Sequence, residues 1–301
     1  MKTMKFIYVA ILLCAFSACK DSGDDLSTSN SSNTTNNTAN SSNSTSNNTT
    51  NNTTTQTYPW NKVSTYIQYA SDNTTESYKQ LFEYDSQGRE IGLKVYSEGS
   101  LSSVCRDYSY NGKEATFYMD DYTKGAVSSS YKMKKIFCDD NIRLKSYIQY
   151  ASDNTTEYQK QIFDYDSQGR EIGLKVYSEG ALYSVYRDYT YNGKEVTYYM
   201  DYYKNGVVSS SFKMSEIFCD DNIRLKSYIR YASDNITEEY KQLYEYDSQG
   251  REVGSKVYFN GSLSTVSREY TYNGKEVTYY VDGYSNGTVS SSCKLKKIYY
   301  E

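Results

Sequence analysis

The chain has 301 residues and a formal charge of −4, with 33 Lys and Arg against 37 Asp and Glu. That mildly acidic balance argues against nucleic acid and anionic lipid as partners, since both reward a basic surface. The absence of histidine removes imidazole from general base chemistry and from metal ligation.

The N-terminus reads as an export signal, residues 1–18. Lys2 and Lys5 precede a short apolar run, Phe6 to Phe16, too short to span a bilayer. It ends in Phe16-Ser17-Ala18-Cys19, which resembles the lipobox of bacterial lipoproteins, with Phe16 in place of the usual Leu. The resemblance implies cleavage before Cys19 and acylation, such as palmitate, on the mature protein. Lys20-Asp21-Ser22-Gly23-Asp24-Asp25 resembles the surface-export signal of Bacteroidota lipoproteins. It implies an outer-membrane, lipid-anchored protein facing the cell exterior. Residues 19–57 are dominated by Ser, Thr and Asn, have too little to bury to offset ordering entropy, and read as a disordered tether.

Residues 58–301 carry an internal repeat, with units at about 63–145, 146–226 and 227–301. Tyr84-Asp85-Ser86-Gln87-Gly88-Arg89-Glu90 returns at Tyr165–Glu171 and at Tyr246–Glu252, a period of about 81 residues. Within each unit, apolar residues alternate with a strand period, as in Ile91, Leu93 and Val95 or Ala115, Phe117 and Met119. Turns fall where Asn, Asp and Gly cluster, as at Glu98-Gly99, Asn111-Gly112 and Lys124-Gly125. The 38 tyrosines suit strands with a thin core, because the ring buries area while the hydroxyl stays wettable. The expected fold is all-β: antiparallel hairpins, roughly six strands per repeat, in one long curled sheet. The alternative is a closed ring or barrel. It is suggested by Val63–Ile67 matching one arm of a hairpin, Leu144–Ile148, while Lys294–Glu301 matches the other arm.

The unit Tyr-Asp-x-x-Gly-Arg, best matched at Tyr84–Arg89, Tyr165–Arg170 and Tyr246–Arg251, resembles the YD repeats of RHS-type bacterial proteins. That resemblance implies a long antiparallel sheet that curls into a spiral or shell, without enzymatic activity of its own.

No catalytic set emerges. A Ser-His-Asp triad is impossible without histidine, and Asp120-Asp121, Asp139-Asp140 and Asp220-Asp221 read as turn residues. Arg89, Arg170 and Arg251 read as partners of acids on neighbouring strands. Cys105, Cys138, Cys219 and Cys293 align with Tyr, Phe or Ser in other repeats and read as packing positions. No metal or cofactor is expected, and no enzyme. Tyr96, Tyr177 and Tyr258, at equivalent places in the three repeats, form the candidate binding surface, and Cys19 is the lipidation site. The expected partners are the membrane, through the lipid, and glycans or host or envelope proteins. The expected function is a non-catalytic surface adhesin or ligand-binding module, or else an envelope spacer or coat without a specific ligand.

Overall fold

The computed structural model describes residues 62–140 and 143–300. Cys19 and the segments read as signal and tether lie outside the described residues. The first repeat contributes β1 (Val63–Tyr69), β2 (Glu76–Tyr84), β3 (Glu90–Ser97), β4 (Ser100–Asn111), β5 (Glu114–Thr123) and β6 (Ala126–Phe137). The second contributes β7 (Leu144–Tyr150), β8 (Glu157–Tyr165), β9 (Glu171–Ser178), β10 (Ala181–Asn192), β11 (Glu195–Lys204) and β12 (Val207–Phe218). The third contributes β13 (Leu225–Tyr231), β14 (Glu238–Tyr246), β15 (Glu252–Phe259), β16 (Ser262–Asn273), β17 (Glu276–Ser285) and β18 (Thr288–Tyr299). No helix occurs among the described residues.

Each strand pairs antiparallel with its neighbours in sequence, and β18 pairs with β1. The sheet is therefore a closed ring of 18 strands, so the closed alternative is the one that forms and the open ribbon is not. The physical reason is register. At the seam Tyr66 faces Lys297 and Ile67 faces Lys296. The equivalent residues of the intact β6–β7 hairpin, Tyr147 and Lys135 or Ile148 and Lys134, face each other identically. The strands β1 and β18 are thus paired like the arms of one hairpin without its loop. Tyr300 N–H donates to Lys62 C=O at 2.7 Å, and Ser64 Oγ donates to Ile298 C=O at 3.0 Å.

The tight turns follow from local chemistry. At Lys124-Gly125 and Asn205-Gly206 both central residues have positive φ, the geometry whose twist matches the flanking strands. One face of the sheet carries Leu93, Phe117 and Met133, exposed by 8%, 3% and 2%. The other carries Lys94 with its side chain 46% exposed. The apolar face is the concave one. Lys135 on β6 reaches Glu90 on β3 at 3.8 Å, although strands three apart in a flat sheet lie about 14 Å from each other. Tyr147 on β7 likewise joins Cys105 on β4 in one buried cluster. Burial of each such large apolar side chain contributes about 1.5–3 kcal/mol.

Two expectations about faces are corrected. Ile91 does not join Leu93 and Val95. Glu83 pairs with Gly92 but Tyr84 pairs with Glu90, so Ile91 falls in a bulge and is left exposed. Ile172 and Val253 repeat the pattern. Asp120 is not a turn residue either. It lies within β5, is almost fully buried, and takes Arg106 Nε at 2.5 Å and Nη2 at 3.1 Å.

If the ring closes as described, a disulfide between Tyr66→Cys and Lys297→Cys should form on mild oxidation of the folded chain. Peptide mapping by mass spectrometry would detect the linked peptides. Their absence, with the fold intact by circular dichroism, would mean that β1 and β18 are separate edges.

Candidate functional site

Two surfaces need inspection: the outer positions of Tyr96, Tyr177 and Tyr258, and the inner face. Tyr96 sits on β3 opposite Lys79 and Leu101. Tyr177 and Tyr258 sit equivalently on β9 and β15, opposite Lys160 and Lys241. All three are half-buried on the outer face. They do not form one continuous row, because six strand steps, about 29 Å of sheet, separate each from the next. Tyr96 lines a shallow cavity of about 280 Å³ together with Glu76, Tyr78, Lys79, Leu81 and Gly99.

The rest of the outer face is charged and internally matched. Arg106, Arg187 and Arg268 each bind the buried acid of the next strand, Asp120, Asp201 and Asp282, through Nε and Nη2. The same guanidinium groups lie over Tyr118, Tyr199 and Tyr280 at 5.4, 5.3 and 5.4 Å from the ring centroids. These bonds hold the three carboxyls below the usual carboxylate range, against the opposing pull of burial. Glu83 reaches Lys94 at 3.0 Å across Gly92, where an added Cβ would lie 2.8 Å from the Glu83 carboxylate. Glycine at that place is what lets the carboxylate lie flat on the strand.

The inner face holds a cluster that recurs three times and that does not include Tyr96, Tyr177 or Tyr258. A register shift between Arg106 and Ser109 places Asp107 at φ 56° and turns Tyr108 inward. Tyr108 stacks on Phe117 with ring centroids 4.5 Å apart, an arrangement that contributes about 0.5–1.5 kcal/mol beyond its area. Tyr189 stacks on Tyr198 and Tyr270 on Tyr279 in the same way. The Tyr108 hydroxyl donates to the Glu90 carboxylate, and Tyr110 donates to Glu90 C=O at 2.5 Å. Tyr189 and Tyr270 reach Glu171 and Glu252 at 2.6 Å each. Arg89 pairs with Asp85 of its own turn, and not with an acid of a neighbouring strand as its position in the sequence suggests. Its guanidinium then lies 4.4 Å from the Tyr110 ring centroid. Burial, followed by Glu90, raises the Tyr110 hydroxyl to about 12, with Arg89 acting in opposition. Burial and the neighbouring carboxylate push the Tyr108, Tyr189 and Tyr270 hydroxyls far above their ordinary range.

The repeats differ at one corner of this cluster. Lys135 and Lys297 occupy the same place in repeats one and three, whereas repeat two has Glu216, which takes the Tyr198 hydroxyl at 3.0 Å. In repeat three a cavity of about 170 Å³ opens beside Arg224, Arg251, Glu252, Tyr272 and Lys297. The spacing Tyr-x-Tyr at Tyr108–Tyr110, Tyr189–Tyr191 and Tyr270–Tyr272, recurring with the long period, is the sequence signal that could have exposed the cluster. Chemically it is a locked hydrogen-bonded scaffold. Among the described residues no group of three His, Cys, Asp or Glu side chains converges as a metal site would, and the four cysteines there are free thiols.

No protein-family model matches the chain, and no curated protein matches it in sequence. Among solved structures, a porin-like protein from Bacteroides uniformis aligns with a TM-score of 0.45 and 10% identity, over 80% of this chain and 97% of that one. A protein of unknown function from Dyadobacter fermentans aligns with a TM-score of 0.22 and 7% identity, over 79% and 95%. Likenesses this distant carry no argument about what the chain does.

The inner hydroxyls predict an alkaline limit to stability. Folding raises their pKa above the unfolded value of about 10, so the stabilisation is complete below that pH and is lost as pH rises past it. The melting temperature should hold up to about pH 9 and fall beyond about pH 10, with a cooperative rise in tyrosinate absorbance at unfolding. Smooth ionisation of all 38 tyrosines near pH 10 in a chain that stays folded would contradict the buried cluster.

Proposed function

We propose that the chain is a non-catalytic binding module of a bacterial envelope: a water-exposed β-ring, lipid-anchored through Cys19, tethered by residues 19–57, and carried on the outer membrane facing outward. The observation that supports this reading is the polarity of the two faces. A membrane-spanning barrel needs an outward apolar band, and a Lys or Arg at the bilayer midplane costs it about 2–4 kcal/mol. Here Lys94, Lys175 and Lys256 project outward from β3, β9 and β15, with side chains 46%, 48% and 44% exposed, while the buried apolar side chains Leu93, Phe117 and Met133 turn inward. Such a ring belongs in water and needs a separate anchor to stay at a membrane. The lipobox-like Phe16–Cys19 segment supplies one.

Both chain ends leave the ring at the rim that holds the Asp85–Arg89 type turns, since β1 begins there and β18 ends there. The opposite rim, with Glu98-Gly99, Lys124-Gly125 and their counterparts, points away from the tether and is the side available to glycans or to host or envelope proteins. A spacer or coat without a specific ligand is the second reading. It is favoured by the matched outer face, where arginines already cover Tyr118, Tyr199 and Tyr280. Replacing Tyr96, Tyr177 and Tyr258 together by Ser tests the outer surface: the binding reading expects ligand capture to fall with the fold intact, the spacer reading expects no capture to lose.

Cell fractionation tests the anchored-ring reading. The natural chain should sediment with membranes, and the Cys19→Ala variant should be recovered in the soluble fraction. A Cys19→Ala chain that still resists extraction from membranes would mean that the strands themselves are inserted.

A further inference from the structure

The three repeats present the same inner wall, so a difference between them marks something that packing alone does not require. In repeat one Gln80 Nε2 donates to the Tyr78 hydroxyl at 2.8 Å, and in repeat three the Tyr240 hydroxyl donates to Gln242 Oε1 at 2.9 Å. In repeat two the tyrosine is replaced by Gln159, and Gln161 loses its partner. Gln149 faces Gln159 directly across β7 and β8, and Gln161 follows two residues along the same face. The place of Gln149 is held by Gln68 in repeat one, where it faces Tyr78, and by Arg230 in repeat three, which is ion-paired with Glu239 at 3.2 Å. The three side-chain amides of repeat two are half-buried and make no side-chain hydrogen bond among the described residues, although their backbones are paired in the sheet. Each offers two donors and an acceptor at the same wall.

A second change accompanies them. Tyr202 stands where repeat one has Asp121, held by Ser103 and Ser129 hydroxyls, and where repeat three has Gly283. Tyr183 replaces Ser102 and Ser264, and meets Tyr202 edge-to-face with centroids 5.7 Å apart. Cross-strand pairing runs from Gln161 through Val176 and Ser184 to Tyr202 on the inner face. The amides and the aromatic pair are thus three strand steps apart, about 14 Å along the sheet, with only small side chains between. Both sit toward the rim that points away from the chain ends.

From this juxtaposition we propose that the inner wall of repeat two is a binding site for a short, neutral oligosaccharide. Unpaired amides match the donor and acceptor character of sugar hydroxyls, and the tyrosine pair offers a ring face for a pyranose. Both groups lie on one stretch of the concave wall, so a single chain of a few sugars can touch the amides and the ring pair together. The inference rests on the binding-module reading and gives that reading a ligand class and a location inside the ring.

The test is titration calorimetry of the full-length Cys19→Ala chain with maltohexaose, cellohexaose, laminarihexaose and xylohexaose. Two variants use residues that the fold already accepts at equivalent positions: Gln159→Tyr returns the partner to Gln161, and Tyr202→Asp copies repeat one. At least one hexasaccharide should bind, and each variant should weaken it by about tenfold or more, the worth of one or two hydrogen bonds or a ring contact, with the fold intact by circular dichroism although Tyr202 also packs on Phe212. Binding that survives both variants but is lost on Tyr96→Ser overturns the inner site and leaves the binding module standing. Binding of none of the four overturns the inference itself, while the anchored-ring reading is decided separately by fractionation.

Discussion

A strand at the edge of a sheet leaves a row of backbone N–H and C=O groups unpaired, and in this protein β18 satisfies that row on β1. Eighteen strands exceed what an open twisted sheet sustains without curling, so curvature is expected in any case. The repeat makes the curvature productive. Each unit contributes six strands, and the first and last strands of the sheet match the two arms of the same hairpin. After three units the free arms meet with the register that β6 and β7 already use. Closure also decides which face is protected. With the sheet bent into a ring, Phe117, Met133 and Met214 pack on the concave side, and lysines such as Lys94 are left facing water.

Much of this was legible before any coordinates. The period of 81 residues, six strands per unit, and turns at places such as Lys124-Gly125 all follow from spacing and from residues that tolerate positive φ. Closure was visible only as a resemblance between Val63–Ile67 and Leu144–Ile148, because pairing between chain ends depends on accumulated curvature and not on any local pattern. Bulges defeated the reading of faces. A single extra residue in β3 sends Ile91 to the opposite side from Leu93, and one in β4 turns Tyr108 inward. Asp120 was misread for a related reason, since a paired Asp looks like a turn unless the Arg106 contact across the strands is known.

The candidate site was less legible than the fold. Tyr96, Tyr177 and Tyr258 were identified as equivalent positions, and they are equivalent, but equivalence in a ring means separation around it and not alignment in a row. The tyrosines that do converge, Tyr108 with Tyr110 and their counterparts, gather around Glu90, Glu171 and Glu252 because the sheet bends there. Repetition also changes how such clusters are interpreted. A feature present in all three units is explained by the scaffold they share. The informative positions are those where one unit departs, such as Glu216 in place of lysine or Gln159 in place of tyrosine.

The central claim is that the ring is closed through β1 and β18, and amide hydrogen exchange of the folded chain tests it most directly. The account predicts that the backbone amides of 65–68 and 295–298 exchange as slowly as those of 146–149 and 133–136, their counterparts in an intact hairpin. Rapid exchange confined to β1 and β18, with the β6–β7 amides protected, would show an open sheet with two free edges and would contradict it.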